Sequence, residues 1–171
     1  SNLALFSSII HLGADPALIA FIQRPVGVSG DTYRNILSVG AYTINLVPAS
    51  ILEKAHYTSA KFDPETSEFS ACALTEEWIE GFTAPGVKEC PIKFGLRFME
   101  EIPIRHNNTK MIIGSVQWVQ LNDGLLGNDG NVNLNHADIV AVSGLENYHL
   151  PKQLRSLPYA RVQELPDFSH R

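Results

Sequence analysis

The chain has no cluster of basic side chains. Its 13 Lys and Arg are scattered among 18 Asp and Glu, for a formal net charge of −5. Phosphate backbones are bound by grouped Lys and Arg, so no nucleic-acid partner is expected. A long apolar run is missing too. The longest stretch, residues 17–22, falls far short of the roughly 20 residues that span a bilayer, so no membrane partner is expected and the stretch reads as a buried strand. Cysteine is scarce: Cys72 and Cys90 are too far apart for a CxxC redox pair or a zinc knuckle. They read as reduced, buried thiols of a cytoplasmic protein. No secretory signal is expected, since Ser1 opens directly into the strand-like residues 3–10. No initiator Met stands at position 1, so residues upstream of Ser1 are expected.

What is present suits one domain spanning residues 1–171, with 44% hydrophobic and 18% charged residues. Residues 3–11 and 17–23 are β-rich runs separated by Gly13-Ala14-Asp15-Pro16, which predicts strand, turn, strand. Pro25 ends the second strand, since proline cannot donate to a ladder. Residues 31–38 place Tyr33, Ile36 and Leu37 at helical spacing, with Gly40 where a C-cap glycine belongs. Residues 41–47 return to strand. The pattern from 48 to 83 is helical, with Trp78, Ile79 and Phe82 packing it against the sheet or a partner subunit. Residues 90–104 and 109–121 predict a long antiparallel pair, followed by a Gly/Asn/Asp loop (122–135), a strand at 139–143 and a proline-bearing tail that wraps the surface. Strands flanking a helical insertion predict a mostly β fold. Closing the sheet into a small barrel removes its exposed edges.

The most suggestive local chemistry lies in Arg24-Pro25 and Ser29-Gly30-Asp31-Thr32, a glycine-bearing loop running into a helix start. A helix N-terminus offers unpaired N–H groups and a partial positive charge, which suit an anion such as phosphate. Ser29 and Thr32 add hydroxyls, and Arg24 or Arg34 a formal charge. The alternative is equally physical: Ser29 or Asp31 caps the helix and no ligand is involved. Asp31 counts slightly against phosphate, because its carboxylate competes for the same amides. Gly27-Val28-Ser29-Gly30 is not a nucleophile elbow, since Asp31 stands where that motif needs glycine. The histidines are scattered without the i, i+4 spacing of a helical zinc site, so no metal is expected. Asn122-Asp123-Gly124 through Asn128-Asp129-Gly130 reads as a hairpin turn, lacking the acidic alternation of a calcium loop. Glu76-Glu77 and Glu100-Glu101 read as solvated faces.

The order of segments resembles the flavin reductase-like, FMN-binding split-barrel family. Asn2-Leu3-Ala4-Leu5-Phe6-Ser7-Ser8 is similar to its NLAPFS strand, and Asp15-Pro16-Ala17-Leu18-Ile19-Ala20-Phe21 to its NPPLVGF strand. Ser29-Gly30-Asp31-Thr32-Tyr33-Arg34-Asn35-Ile36 resembles its KDTLRNI phosphate segment, and Gly40-Ala41-Tyr42-Thr43-Ile44-Asn45 its GEFVVN strand. Thr58-Ser59-Ala60 with Ser67-Glu68-Phe69, and Ala84-Pro85-Gly86-Val87-Lys88-Glu89-Cys90-Pro91, complete six matches in order. Beyond Pro91 the likeness rests on Gly144-Leu145-Glu146-Asn147-Tyr148-His149.

The resemblance implies an FMN-binding split β-barrel of antiparallel Greek-key type with a helical insertion. It implies a cytoplasmic homodimer with its site between subunits, where Trp78, Phe82 and Trp118 supply an apolar patch or, alternatively, ordinary core. The cofactor it implies is FMN, with FAD possible, and NAD(P)H as transient reductant. Asn2, Ser7 and Ser8 would lie along the flavin ring edge. Ser29 and Thr32 would hold the phosphate beside Asp31 with Arg24 as counter-charge, and Thr58 and Ser59 would add contacts. Two departures stand out. Gly30 replaces the family's lysine, and the family's strand upstream of Asn2 is absent. The implied activity is hydride transfer from nicotinamide to flavin. Its rivals are a flavin-binding carrier or redox sensor, and a barrel with an unrelated ligand.

Overall fold

The computed structural model describes residues 1–25 and 30–168 of the chain. The strands are β1 (Ile10–Ala14), β2 (Ala17–Gln23), β3 (Ala41–Leu46), β4 (Glu76–Glu77), β5 (Gly86–Val87), β6 (Ile92–Ile104), β7 (Thr109–Leu121), β8 (Ala141–Ser143) and β9 (Asn147–His149). The helices are α1 (Asp31–Val39), α2 (Leu52–Tyr57) and α3 (Glu68–Ala71). The fold is mostly β with few helices. Five strands form an antiparallel sheet in the order β1-β2-β7-β6-β3, while β4-β5 and β8-β9 form separate two-stranded pieces. The chain thus places β3 on the far side of the β6–β7 hairpin from β2. That is the non-sequential order expected of a Greek-key arrangement rather than a meander.

β6 and β7 are the long antiparallel pair the sequence predicts, with Ile92 opposite Leu121 and Ile104 opposite Thr109. Alternation decides which side is core. Phe21, Tyr42, Leu96 and Ile112 point to one face of the sheet and pack beneath Ile36 of α1. Tyr33 joins Ile36 in that packing, whereas Leu37 faces solvent. The helix stops at Gly40, which takes the left-handed conformation (φ 73°) and returns its N–H to the Ile36 carbonyl. A second core gathers Ile51, Phe69, Cys72, Leu74, Val87 and Cys90 beneath the short helices.

Several expectations need correction. Residues 3–9 are not strand; the ladder with β2 begins only at Ile10, opposite Ala20. Ser8 explains the break, since its hydroxyl accepts from the Ile22 N–H at 3.1 Å and occupies a ladder position. Leu3 and Phe6 turn instead into two different cores. Residues 75–83 are not helical, because Glu76 and Glu77 pair with Val87 and Gly86. Those acids are not a solvated face either. Glu77 lies 2.5 Å from Nζ of Lys93, a lysine 2% exposed, and Glu76 accepts from the Trp78 indole. Burying that ammonium is offset by the carboxylate and the Val87 carbonyl at 3.3 Å. In the tail, residues 151–168 are exposed throughout, and Gln153 donates its N–H to Asn135 Oδ1 at 3.0 Å. Among the described residues, no helix is long and apolar enough to cross a membrane.

Candidate functional site

A cavity of about 660 Å³ opens along the outer edge of β3. Among the described residues β3 pairs only with β6, so its other side is free to form a wall. The irregular segment from Ser1 to Ser7, the inner face of α1 and the loop at Thr83–Pro85 complete the near walls. Ala55 of α2, Thr58 at its C-cap, and residues 139–142 with Tyr148 close the far side. The size falls within the range of small-molecule and cofactor sites. Apolar side chains make up most of the lining; Asn2, Thr32 and Asn35 form a polar group at the α1 end, while Thr43, Asn45, Thr58 and Tyr148 stand elsewhere on the walls.

That polar end is built by three side chains. Asn35 donates from Nδ2 to Oδ1 of Asn2 at 2.9 Å, and Asn2 donates from Nδ2 to Oγ1 of Thr32 at 2.5 Å. The chain of bonds has a direction: with Oγ1 already accepting, the Thr32 hydroxyl proton is left to donate elsewhere. Thr32 sits in the first turn of α1, whose N-cap is Gly30, a residue with no side chain to cap with. The first-turn amides have no carbonyl partner within the helix, and the dipole makes this end partly positive. Asp31 is therefore not the cap. It is the first helical residue, and its carboxylate pairs with Arg34.

The first turn is fastened to the sheet from outside the cavity. The Tyr33 hydroxyl donates to Glu101 Oε2 at 2.6 Å, and Lys110 Nζ lies 2.8 Å from Glu101 Oε1 and 4.2 Å over the Tyr33 ring centroid. Hydrogen bonds from Lys110 and then Tyr33 hold the Glu101 carboxyl below its usual range, and the same contacts hold the Lys110 ammonium above its own. On the near side, Thr43 Oγ1 donates to the Pro85 carbonyl at 2.7 Å, and Asn45 Oδ1 accepts from the Val87 N–H at 2.9 Å. These bonds dock the segment 85–87 against β3. On the far side, His56 Nδ1 and the Tyr148 hydroxyl meet at 2.8 Å, closing the β8–β9 hairpin onto α2.

The sequence-derived candidates divide. Asn2, Ser7, Thr32 and Thr58 line the cavity, and the Thr58 hydroxyl is held by the Ala55 carbonyl at 2.7 Å. Ser8, Arg24, Asp31 and Ser59 are not among its lining residues. Ser8 is bound to Ile22, while Arg24 and Ser59 are exposed at the surface. Ser29 lies outside the described residues. Sequence reasoning missed Asn35, Thr43, Asn45 and the His56–Tyr148 contact. Asn35 carried a signal, since it stands one helical turn from Thr32. The contact of His56 with Tyr148, 92 positions apart, carried none. Phe82 and Trp118 meet edge to face at 5.3 Å within the chain, whereas Trp78 is 56% exposed and borders the cavity.

Cys90 also borders the cavity but is only 2% exposed, and burial pushes its thiol pKa up to about 12. Burial likewise raises the Cys72 thiol. The thiolate is the reacting species, so neither should react at pH 8. A thiol-specific disulfide reagent is expected to release no chromophore from the folded protein and to titrate both residues in denaturant. Rapid reaction of the folded protein would show that these side chains open to solvent.

The family model described as "Flavin reductase like domain" matches residues 1–139. An uncharacterized protein of Aquifex aeolicus (strain VF5) is 28% identical over 137 residues, covering 79% of this chain and 68% of its own length. The chain spans about two thirds of the length of the curated relatives it matches. A crystal structure from Shewanella frigidimarina NCIMB 400, assigned as a flavin reductase with a split barrel domain, is 43% identical. It superposes with a TM-score of 0.89 over 93% of this chain and 79% of its own. Nitrilotriacetate monooxygenase component B from Bacillus cereus is 25% identical, with a TM-score of 0.81 over 91% and 79% of the two chains.

Proposed function

The chain belongs to the flavin reductase like family, and on that premise we propose that it binds FMN at the β3-edge cavity and reduces it with NAD(P)H. The observation that carries this reading is the bonded set Asn35–Asn2–Thr32 at the α1 end of a mostly apolar cavity. Thr32, oriented by Asn2 and Asn35, and the first-turn amides of α1 suit a phosphate, and the apolar walls suit a ring system. A single phosphate-sized cradle favours FMN over FAD. Flavin, when bound, supplies the hydride-accepting chemistry. The chain's own residues do the rest. Thr32 and the α1 amides anchor the anionic end. Leu3, Phe6 and Ile36 exclude water along the wall, and Thr43 and Asn45 hold the 85–87 segment in place. No acid–base pair is required of the protein for hydride transfer between two cofactors.

The exposed face of Trp78, at the cavity mouth, favours a homodimer in which a second copy completes the site. Buried thiols suit a reducing, cytoplasmic setting. The test is the visible spectrum of the purified protein with FMN, before and after anaerobic NADH or NADPH. Flavin bands that bleach support the reductase. Bands that persist with both nucleotides leave only a flavin carrier, and absence of binding removes the cofactor assignment.

A further inference from the structure

We propose that the β8–β9 hairpin is a flap over the cavity, latched by the Tyr148–His56 contact, and that ligand enters and leaves when the latch parts. The proposal rests on the cavity being the flavin site, and its test separates the two. Among the described residues β8 and β9 pair only with each other and share no ladder with the five-stranded sheet. Ala141 stands opposite His149, Val142 opposite Tyr148 and Ser143 opposite Asn147, and Gly144 (φ 65°) helps turn the chain between the strands. Within residues 141–149 only Val142 and Tyr148 are half-buried; the others are exposed. Residues directly opposite on two paired strands project to the same face. That face looks into the cavity, because Val142 and Tyr148 both line it.

The root and the body of the hairpin are held very differently. At the root, Val140 donates its N–H to the Val47 carbonyl at 3.0 Å, and the Asp138 carbonyl accepts from the Ala49 N–H at 2.9 Å. Pro48 and Ile139 form an antiparallel bridge there, and Ile139 packs on the core of Ile92, Leu125 and Ala137. Beyond Val140, the hydrogen bonds of the described residues include one from the hairpin to the rest of the chain. It joins the Tyr148 hydroxyl to His56 Nδ1 at 2.8 Å, with the two rings edge to face at 5.8 Å. The keeper is fixed, since α2 buries Ala55 beside His56. Ser143 Oγ and His149 Nε2 meet at 2.8 Å and brace the two strands to each other, not to the body.

An element with an anchored root, internal bracing and a single tie at its free part swings as a unit when that tie parts. One neutral hydrogen bond suppresses such opening by roughly 3- to 10-fold. A latch differs from a ligand contact in its kinetics. Losing a contact speeds departure and leaves entry alone, whereas losing a latch present in both the free and the loaded protein speeds both.

The experiment uses Tyr148→Phe, which keeps the ring and removes the hydroxyl of the latch. Stopped-flow mixing with FMN should show association and dissociation both faster by roughly 3- to 10-fold, with the dissociation constant changed less than about twofold. His56→Phe should do the same, and the double variant no more than either, because the two side chains share one bond. A flavin-free measurement runs beside it. Nitroxides at Leu145→Cys, in the turn of the hairpin, and His106→Cys, in the β6–β7 turn, sit at exposed positions, while Cys72 and Cys90 are buried. Pulsed dipolar EPR should show a long-distance population that grows by the same factor in Tyr148→Phe. Faster dissociation with an association rate equal to wild type would make Tyr148 a contact residue and overturn the flap. Unchanged distances would overturn it whether or not FMN binds. Distances that lengthen in a protein that takes up no FMN would keep the flap and remove the flavin reading instead.

Discussion

Gly114→Ala is expected to destabilise the fold by about 2–3 kcal/mol, the usual cost of overpacking a closed core. A Cβ at this position would lie 2.3 Å from the Tyr42 hydroxyl oxygen, 2.9 Å from its Cζ and 3.1 Å from Cβ of Leu96. None of these is the loose end of a surface side chain. Tyr42 is 8% exposed and Leu96 is fully buried. Tyr42 belongs to β3 and also borders the cavity, so a displaced ring should carry the damage to the site as well as the core. Among the described residues the Tyr42 hydroxyl has no hydrogen-bond partner, and burial raises its pKa. Tyr42→Phe should therefore cost little by itself, since it removes an unsatisfied buried group. Combined with Gly114→Ala it should recover part of the loss, because the two changes share one contact. Urea unfolding of the four proteins measures the cycle; a Gly114→Ala midpoint equal to wild type would show that the ring has room to move.

Periodicity revealed much of the fold and proximity very little. β2, β3, β6 and β7 were readable because each alternates or runs apolar over a length that burial on a sheet requires. α1 was readable from both ends, by its inward Tyr33 and Ile36 and its terminal Gly40. Residues 3–9 misled because they have strand composition, yet a single hydroxyl, Ser8, breaks the ladder. Glu76 and Glu77 misled for the opposite reason. Adjacent acids look solvated until a lysine 16 positions beyond Glu77 is buried against it. In the site, Asn2 and Thr32 were legible through the ordered family-like segments, but the bond between them is a tertiary fact. Ser8, Arg24, Asp31 and Ser59 belong to the same kind of segment, yet they are not among the lining residues of the cavity. The segment reaches the cavity region, but the direction of each side chain is set by packing that local sequence does not encode.

Thr32→Val should weaken FMN binding by roughly 10- to 100-fold, the range for losing one hydrogen bond to a charged group. The substitution keeps the side chain's shape and removes only the hydroxyl. In the present arrangement that hydroxyl accepts from Asn2 and keeps its proton for a ligand. Valine can do neither, and it also leaves the Asn2 amide without its acceptor. Thr32→Ser should retain most of the affinity, because the oxygen stays beside Asn2. Asn35→Ala should fall between the two, since it removes the bond that fixes which way Asn2 points while leaving Thr32 intact. The decisive comparison is riboflavin, which carries the ring without the phosphate. If Thr32 and the α1 amides anchor the phosphate, Thr32→Val should weaken FMN while leaving the weaker riboflavin binding nearly unchanged. Flavin fluorescence titration reads both constants on the same protein. Equal losses for the two ligands would mean that Thr32 shapes the ring site instead, and the anion would then have to be sought elsewhere on the cavity wall.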